Sequence, residues 1–160
     1  MMTQTHIFLR LGLLVCVIAA TGLFASATTM GAPTCMGKPS TINDHAGDIQ
    51  GTSGNDVIVG NSGANTINGK GGNDVICGGG GNDVINAGAG NDQVQGGPGD
   101  DTINGGTGND NLKGGPGDDD INGGGHDDIL AGEEGVDSLN GGAGTDWCTG
   151  GGVQTILLPC

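Results

Sequence analysis

The sequence predicts an all-β fold, a parallel solenoid whose coils each contain two short strands. A nine-residue unit is repeated eleven times without a gap over residues 51–149, with the pattern G-G-x-G-x-D-x-U-x, where U is a large aliphatic residue. Two clear copies are residues 78–86 and 96–104. One apolar residue in nine cannot form the stripe of an amphipathic helix, and the recurring glycines also oppose a helix. Short strands flanked by glycine turns are the regular structure that remains.

The eighth position of the unit supplies the predicted core. One unit cannot bury its single apolar side chain alone, whereas a stack of units aligns these side chains in its interior. If two units form one coil, adjacent coils lie about 4.8 Å apart. So small a core in a glycine-rich chain leads us to expect that metal binding contributes to folding. The eighth-position residues are Ile58, Ile67, Ile76, Ile85, Val94, Ile103, Leu112, Ile121, Leu130, Leu139 and Cys148.

The sixth position supplies the candidate metal ligands. It is aspartate in ten units: Asp56, Asp74, Asp83, Asp92, Asp101, Asp110, Asp119, Asp128, Asp137 and Asp146. The exception is Asn65. Two units per coil would place alternate members in two columns, where carboxylates about 5 Å apart repel by roughly 3 kcal/mol. We therefore expect a cation between them, and flexible carboxylate and carbonyl oxygens favour Ca²⁺ over Mg²⁺.

The unit resembles the repeats-in-toxin (RTX), or hemolysin-type, calcium-binding nonapeptide, and the resemblance covers residues 51–149. It implies a right-handed parallel β-roll, a β-solenoid with two repeats per turn and Ca²⁺ between turns. It also implies that sixth-position aspartates of units i and i+2 hold each ion, up to about nine ions in all. Carbonyl groups of the glycine loops would complete the shell. The glycines singled out for this role are Gly69, Gly71, Gly78, Gly80, Gly96, Gly105 and Gly114.

Some units depart from the pattern. Asn65 offers a neutral oxygen, so we expect weaker sites beside it. His126 stands at the fourth position, where glycine permits positive φ, and we favour a surface side chain or loop defect over a metal ligand. Glu133 and Glu134 are interpreted as solvated charges rather than extra ligands. The Asn and Asp residues at the fifth position are expected to form turns that tolerate unusual φ, with direct ligation a minor alternative.

The ends of the chain divide it further. Residues 1–27 are interpreted as a secretory signal peptide, because Arg10 precedes an apolar run and Ala25-Ser26-Ala27 provides a cleavage site. An uncleaved anchor is the alternative, although the apolar run is short for a membrane span. Residues 28–50 are expected to form an N-terminal cap with degenerate repeats, and residues 150–160 a C-terminal cap. Trp147 is expected to cap the C-terminal stack.

Four cysteines follow the proposed leader, an even number that suggests disulfides in an exported chain. Cys148 with Cys160 would fasten the C-terminal cap, and Cys35 with Cys77 the N-terminal cap. Three pairings are possible. A thiolate metal site is the other alternative, and no Cys-x-x-Cys motif or His cluster supports it.

Charge and composition restrict the function. The formal net charge is −14, which opposes binding to nucleic acid or to an anionic membrane surface. No nucleophile elbow or zinc-protease motif is present, and no membrane-inserting segment follows the leader, so we expect neither an enzyme nor a lytic toxin. The expected function is a secreted, calcium-binding structural or surface module, with a cell-surface or matrix partner. The alternatives are a binder of polysaccharide, ice or cell surfaces through its outer face, or an accessory module of a secreted enzyme or toxin.

Overall fold

Two parallel sheets make up the fold, and each sheet takes every second repeat unit. The computed structural model describes residues 34–42, 47–151, 156–157 and 160. The proposed leader, residues 1–27, lies outside the described residues. In chain order the strands are β1 (Thr34–Cys35), β2 (Lys38–Pro39), β3 (Asp48–Gln50), β4 (Val57–Val59), β5 (Thr66–Asn68), β6 (Val75–Cys77), β7 (Val84–Ala89), β8 (Gln93–Gln95), β9 (Thr102–Thr107), β10 (Asn111–Pro116), β11 (Asp120–Gly125), β12 (Ile129–Glu134), β13 (Ser138–Ala143), β14 (Trp147–Thr149) and β15 (Ile156–Leu157).

The order of the strands confirms the predicted β-solenoid. One sheet runs β4-β6-β8-β10-β12-β14, and the other runs β3-β5-β7-β9-β11-β13-β15. Neighbouring strands pair in parallel with a shift of eighteen residues, as in Ile103 with Ile121 and Leu112 with Leu130. Eighteen residues are two nonapeptides, so each coil holds two units. No helix of the length and apolarity needed to cross a membrane is found in the described part of the chain.

The eighth-position side chains form the core between the two sheets. Ten of the eleven, from Ile58 to Leu139, are at most 1% exposed, and Cys148 is partly buried against them. Ile49 extends this core into β3 and is fully buried. Side chains alternate across a strand, so the seventh and ninth positions face outward, and all of these residues except the buried Val75 are at least partly exposed. The predicted core is therefore confirmed for every unit up to Leu139.

Disulfides join both ends of the roll to its coils. Strands β1 and β2 form an antiparallel hairpin, and Cys35 of this hairpin is bonded to Cys77 at the end of β6. Cys148 is bonded to Cys160. These are the two pairs named in the sequence analysis, and the structure selects them from three pairings among which the sequence could not choose. Strand β15 extends the second sheet, with Leu157 paired to Leu139 in the register of the repeat.

Trp147 does not cap the C-terminal stack, contrary to the prediction from the sequence. It stands at the seventh position of the last unit and is 70% exposed. Its register partner in β12 is Ile129, which is 51% exposed. The alternation of the strand places both residues on the outer face, and this outweighs the preference of a large aromatic side chain for burial.

Candidate metal-binding columns

The sixth-position side chains form two columns along the roll. The Asp56 column contains Asp56, Asp74, Asp92, Asp110, Asp128 and Asp146, and the Asn65 column contains Asn65, Asp83, Asp101, Asp119 and Asp137. Each column follows the loops that precede one of the two sheets. The eight aspartates from Asp74 to Asp137 are each at most 2% exposed. Buried carboxylates are rare unless paired or bound to a cation, so their burial calls for a partner.

Hydrogen bonds hold each column in register. The backbone N–H of every sixth-position residue from Asp56 to Asp128 donates to the Oδ1 atom of the sixth-position side chain one coil later. The donor–acceptor distances run from 2.7 to 3.2 Å. One oxygen of each column carboxylate from Asp74 to Asp146 is therefore satisfied by the protein itself.

From Asp74 to Asp137, the second oxygen of each column carboxylate has no partner in the protein. Eight buried Oδ2 atoms accept no hydrogen bond: those of Asp74, Asp83, Asp92, Asp101, Asp110, Asp119, Asp128 and Asp137. An unsatisfied buried polar atom costs roughly 1–3 kcal/mol, and more when it carries charge. Eight of them in regular positions form a repeated set of acceptors that fits the binding of cations and does not resemble a local packing fault.

The first-position glycines make room for these oxygens. A Cβ atom at Gly78 or Gly96 would collide with the Oδ2 atom of the aspartate in the same unit. It would also come within 2.7 Å of the carbonyl oxygen of Gly96, or 2.9 Å of that of Gly114, one coil later. Gly105 has the same surroundings. Glycine at the first position therefore brings a carboxylate oxygen and a carbonyl oxygen close together without a side-chain clash, and the Asp92 unit is the exception, with Ala87 at this position.

The glycines chosen from the sequence fall into two groups. Gly69, Gly78, Gly96, Gly105 and Gly114 occupy the first position and lie directly against an aspartate side chain of their own unit. Gly71 and Gly80 occupy the third position, where their N–H groups donate to the carbonyl groups of Thr52 and Asn61 in the preceding coil. The structure thus places the first group against the carboxylates and the second group in backbone hydrogen bonds between coils.

Burial raises the pKa of the column carboxylates. The pKa of Asp110 and of Asp119 rises to about 7, and that of Asp74 and of Asp101 to about 6. Desolvation is the largest cause in each case. The hydrogen bond from the backbone N–H one coil earlier lowers the pKa, and neighbouring carboxylates raise it again. The pKa is raised for the same main reason in Asp83, Asp92 and Asp128. Asp110 and Asp119 therefore release their protons near neutral pH, where a cation would favour the charged form.

The donor set fits a hard cation bound partly by the backbone. Within the described residues, no group of three or more His, Cys, Asp or Glu side chains converges as a metal site. From Asp74 and Asp83 onward, each loop pair instead combines column carboxylates with carbonyl oxygens of the glycine turns, so the atoms that could bind a cation there are all oxygens. Six to eight oxygen ligands in a flexible loop are the surroundings of Ca²⁺, whereas Mg²⁺ requires a strict octahedron. The residues present fit calcium.

The unusual residues lie at the surface of the loops. His126 is exposed, and its Nδ1 atom lies 2.9 Å from the carbonyl oxygen of Gly125 and 3.3 Å from the amide nitrogen of Gly108. The Glu133 carboxylate forms an ion pair with Lys113 at 3.6 Å. This contact agrees with the interpretation of Glu133 as a surface charge. His126 has φ of +80°, as expected for a fourth-position residue.

Replacing His126 by Gly is expected to stabilise the calcium-loaded protein by about 1 kcal/mol, since glycine adopts positive φ without strain. Thermal unfolding in excess calcium measures the change. Lys70→Gly is the control, because Lys70 has a similar φ of +75° but its Nζ atom donates to the carbonyl of Gly51 at 2.7 Å. The gain should be smaller or absent there. An unfolding temperature of His126→Gly at or below that of the wild type would contradict the expectation.

Two polar ladders were not predicted from the sequence. Fifth-position side chains accept hydrogen bonds from backbone N–H groups one coil later, as Asn73 does from Asn91. None of these residues has positive φ, so the unusual φ expected of them is wrong, although Asn73 and Asn82 do lie at bends of the chain. The ninth-position asparagines form a second ladder on the outer face: Asn86, Asn104, Asn122 and Asn140, with N···O distances of 3.3–3.4 Å. The recurrence of Asn at the fifth and ninth positions of the unit is the feature of the sequence from which these ladders could have been predicted.

A parallel roll with two columns of buried carboxylates and glycine turns defines a class of calcium-binding repeat proteins. The model of the RTX calcium-binding nonapeptide repeat matches this chain in overlapping segments, at residues 43–76, 50–85, 77–112, 95–125, 104–139 and 122–154. The chain therefore belongs to the RTX calcium-binding nonapeptide repeat family, as its resemblance implied. No curated protein matches the chain.

Proposed function

We propose that this protein is a secreted, non-catalytic calcium-binding β-roll that folds when it meets extracellular calcium and then serves as a structural or surface module. The observation that carries the proposal is the set of eight buried Oδ2 atoms without a partner. Ca²⁺ bound by these atoms and by glycine carbonyls would neutralise both columns. The net free energy of ion binding would then contribute directly to folding.

Calcium dependence of folding tests the proposal. The full chain is expressed with its own leader, collected from the medium, stripped of metal with a chelator, and titrated with Ca²⁺ or Mg²⁺ under far-UV circular dichroism. A cooperative transition from coil to β-structure with Ca²⁺ alone is expected, because the loops offer a large, flexible oxygen shell. A β-spectrum that is complete in chelator and unchanged by Ca²⁺ would overturn the proposal.

Export is tested in the same preparation. The intact mass of the collected protein is expected to equal that of residues 28–160 with two disulfides, as cleavage after Ala27 predicts. A mass that includes residues 1–27, or protein found only inside the cell, would contradict secretion through this leader.

A ligand-binding outer face is the second candidate function. The exposed pair of Trp147 and Ile129 favours it, because an aromatic side chain beside an aliphatic one is a common contact surface. The other exposed large apolar residues in the described part of the chain are single side chains: Met36, Val84 and Val136. They form no regular array of the kind that an ice lattice or a polysaccharide would require, so the structural module remains the preferred function.

A further inference from the structure

The first coil, residues 51–68, differs from every later coil in its loops. In the nine units from residue 69 to residue 149, the second and fourth positions all have positive φ. In the two units of the first coil, none of these positions does: Thr52, Gly54, Asn61 and Gly63 all lie outside the left-handed region. The first coil therefore carries a different kind of loop.

The loop around Asp56 closes on its own carboxylate. The Thr52 N–H donates to Asp56 Oδ2 at 2.7 Å, and the Thr52 hydroxyl donates to the same atom at 3.0 Å. The Gly54 N–H in turn donates to the Thr52 hydroxyl oxygen at 3.1 Å. In later loops the second-position N–H points along the column instead, as Gly79 donates to the carbonyl of Gly96 at 3.0 Å. Asp56 is thus a column aspartate whose Oδ2 atom is already satisfied.

The loop around Asn65 is closed in the same way. The Asn61 N–H donates to Asn65 Oδ1 at 3.0 Å, and the Gly63 N–H donates to Asn61 Oδ1 at 2.8 Å. This unit also lacks a carboxylate at the sixth position. Two neighbouring units have therefore reached the same closed geometry with different side chains, a hydroxyl in one and an amide in the other.

Lys70 adds a positive charge to the first loop pair of the Asp56 column. Its ammonium reaches back from the second coil and donates to the carbonyl of Gly51. In later coils the first-position carbonyl accepts from the second-position N–H of the preceding coil, as that of Gly114 does from Gly97. Lys70 therefore satisfies a carbonyl that the end of the column would otherwise leave without a donor.

We infer that the first coil is a calcium-free cap, and that the calcium columns begin at Asp74 and Asp83. The inference rests on the proposed calcium-binding function and lowers the number of loop pairs that bind an ion. Of the nine loop pairs that the spacing of the repeats allows, the two that begin at Asp56 and at Asn65 would hold no ion. Their oxygens already accept protein hydrogen bonds, which calcium would have to break before binding.

The same substitution at two places in one column tests the inference. The number of bound calcium ions per chain is measured by equilibrium dialysis and elemental analysis for the full chain, for Asp56→Asn and for Asp92→Asn. Asp56→Asn is expected to bind as many ions as the wild type, and Asp92→Asn at least one fewer. Loss of an ion from Asp56→Asn equal to that from Asp92→Asn would overturn the inference. A wild type that binds no calcium would overturn the proposed function and the inference together.

A second experiment tests whether a substitution in the first coil increases the number of bound calcium ions. Thr52→Gly restores the residue that the repeat has at its second position and removes the hydroxyl that holds Asp56. It is expected to bind one more ion than the wild type. Thr107→Gly is the matched control, because Thr107 is exposed and stands at the third position of its unit rather than the second; its ion number should not change. An unchanged ion number in Thr52→Gly would overturn the role assigned to Thr52.

Discussion

Replacing Asp110 by Asn is expected to change stability in opposite directions with and without calcium. Asp110 lies in the middle of its column, with its Oδ2 atom buried and unpartnered and its pKa raised to about 7. The Asn side chain retains an Oδ1 atom that accepts the N–H of Asp92, an interaction of 2.8 Å in the wild type. The substitution therefore removes the charge and leaves the ladder intact.

Without calcium, Asp110→Asn should unfold at a higher temperature than the wild type. Burial and the neighbouring carboxylates Asp92 and Asp128 disfavour the charged form of Asp110, and a neutral amide avoids both costs. In saturating calcium the order should reverse, because the variant lacks one anionic ligand. We expect at least a tenfold loss of affinity in the affected loop pairs, as each kcal/mol removed from ion binding is also lost from folding.

Thermal unfolding in chelator and in millimolar calcium, together with calcium titration, measures both effects. Asp100→Asn is the control. Asp100 is an exposed fifth-position residue that accepts the N–H of Asp118 at 3.1 Å, and its replacement should change stability by less than about 0.5 kcal/mol under either condition. If Asp110→Asn destabilised the protein equally in chelator and in calcium, Asp110 would be a structural residue rather than a metal ligand.

The fold could be predicted from the sequence because a single period governs it. One apolar residue in nine, always at the eighth position, leaves the chain one way to form a core, and the parallel pairing of Ile103 with Ile121 follows from stacking two units per coil. The two columns of sixth-position side chains follow from the same repeat period. Asp74 and Asp92 are eighteen residues apart, so any two-unit coil places them on adjacent turns.

Features that depend on contacts within one loop or at the ends could not be derived from the period. The hydrogen bond from Thr52 to Asp56 requires a loop conformation that the repeat pattern does not specify. The sequence held a signal, since Thr52 and Asn61 replace the second-position glycine in the first two units. For Trp147, in contrast, the repeat period alone gave the correct position. Its seventh position already placed it on the outer face, but its hydrophobic character suggested a buried cap.

Calcium affinity is expected to fall steeply as the pH is lowered from 8 to 6, and the pKa shifts fix the direction. Asp110 and Asp119 have pKa values of about 7, and Asp74 and Asp101 of about 6, in the calcium-free fold. At pH 6 the first two are largely protonated, and a calcium ion must displace those protons. Each displaced proton costs about tenfold in affinity per pH unit below its pKa.

The calcium-free fold should show the opposite dependence on pH. The carboxylate pKa values are raised above that of the unfolded chain, so the fold binds more protons than the unfolded chain between about pH 4 and pH 7. The stability of the calcium-free fold is therefore greatest at the acidic end of this window and is lost as the pH rises through it. Protons and calcium ions neutralise the same column carboxylates, so protonation of these groups should make the stability of the fold depend less on calcium.

Calorimetric titration at pH 6, 7 and 8, repeated in buffers of different ionisation enthalpy, separates proton release from ion binding. Binding near pH 6.5 should release protons, and its apparent enthalpy should vary with the buffer; at pH 8 this variation should nearly vanish. The double variant Asp110→Asn/Asp119→Asn should release fewer protons, because it lacks two carboxylates whose pKa is raised to about 7. Equal affinities at pH 6 and pH 8, with an enthalpy independent of buffer, would show that calcium binds elsewhere than at the buried columns.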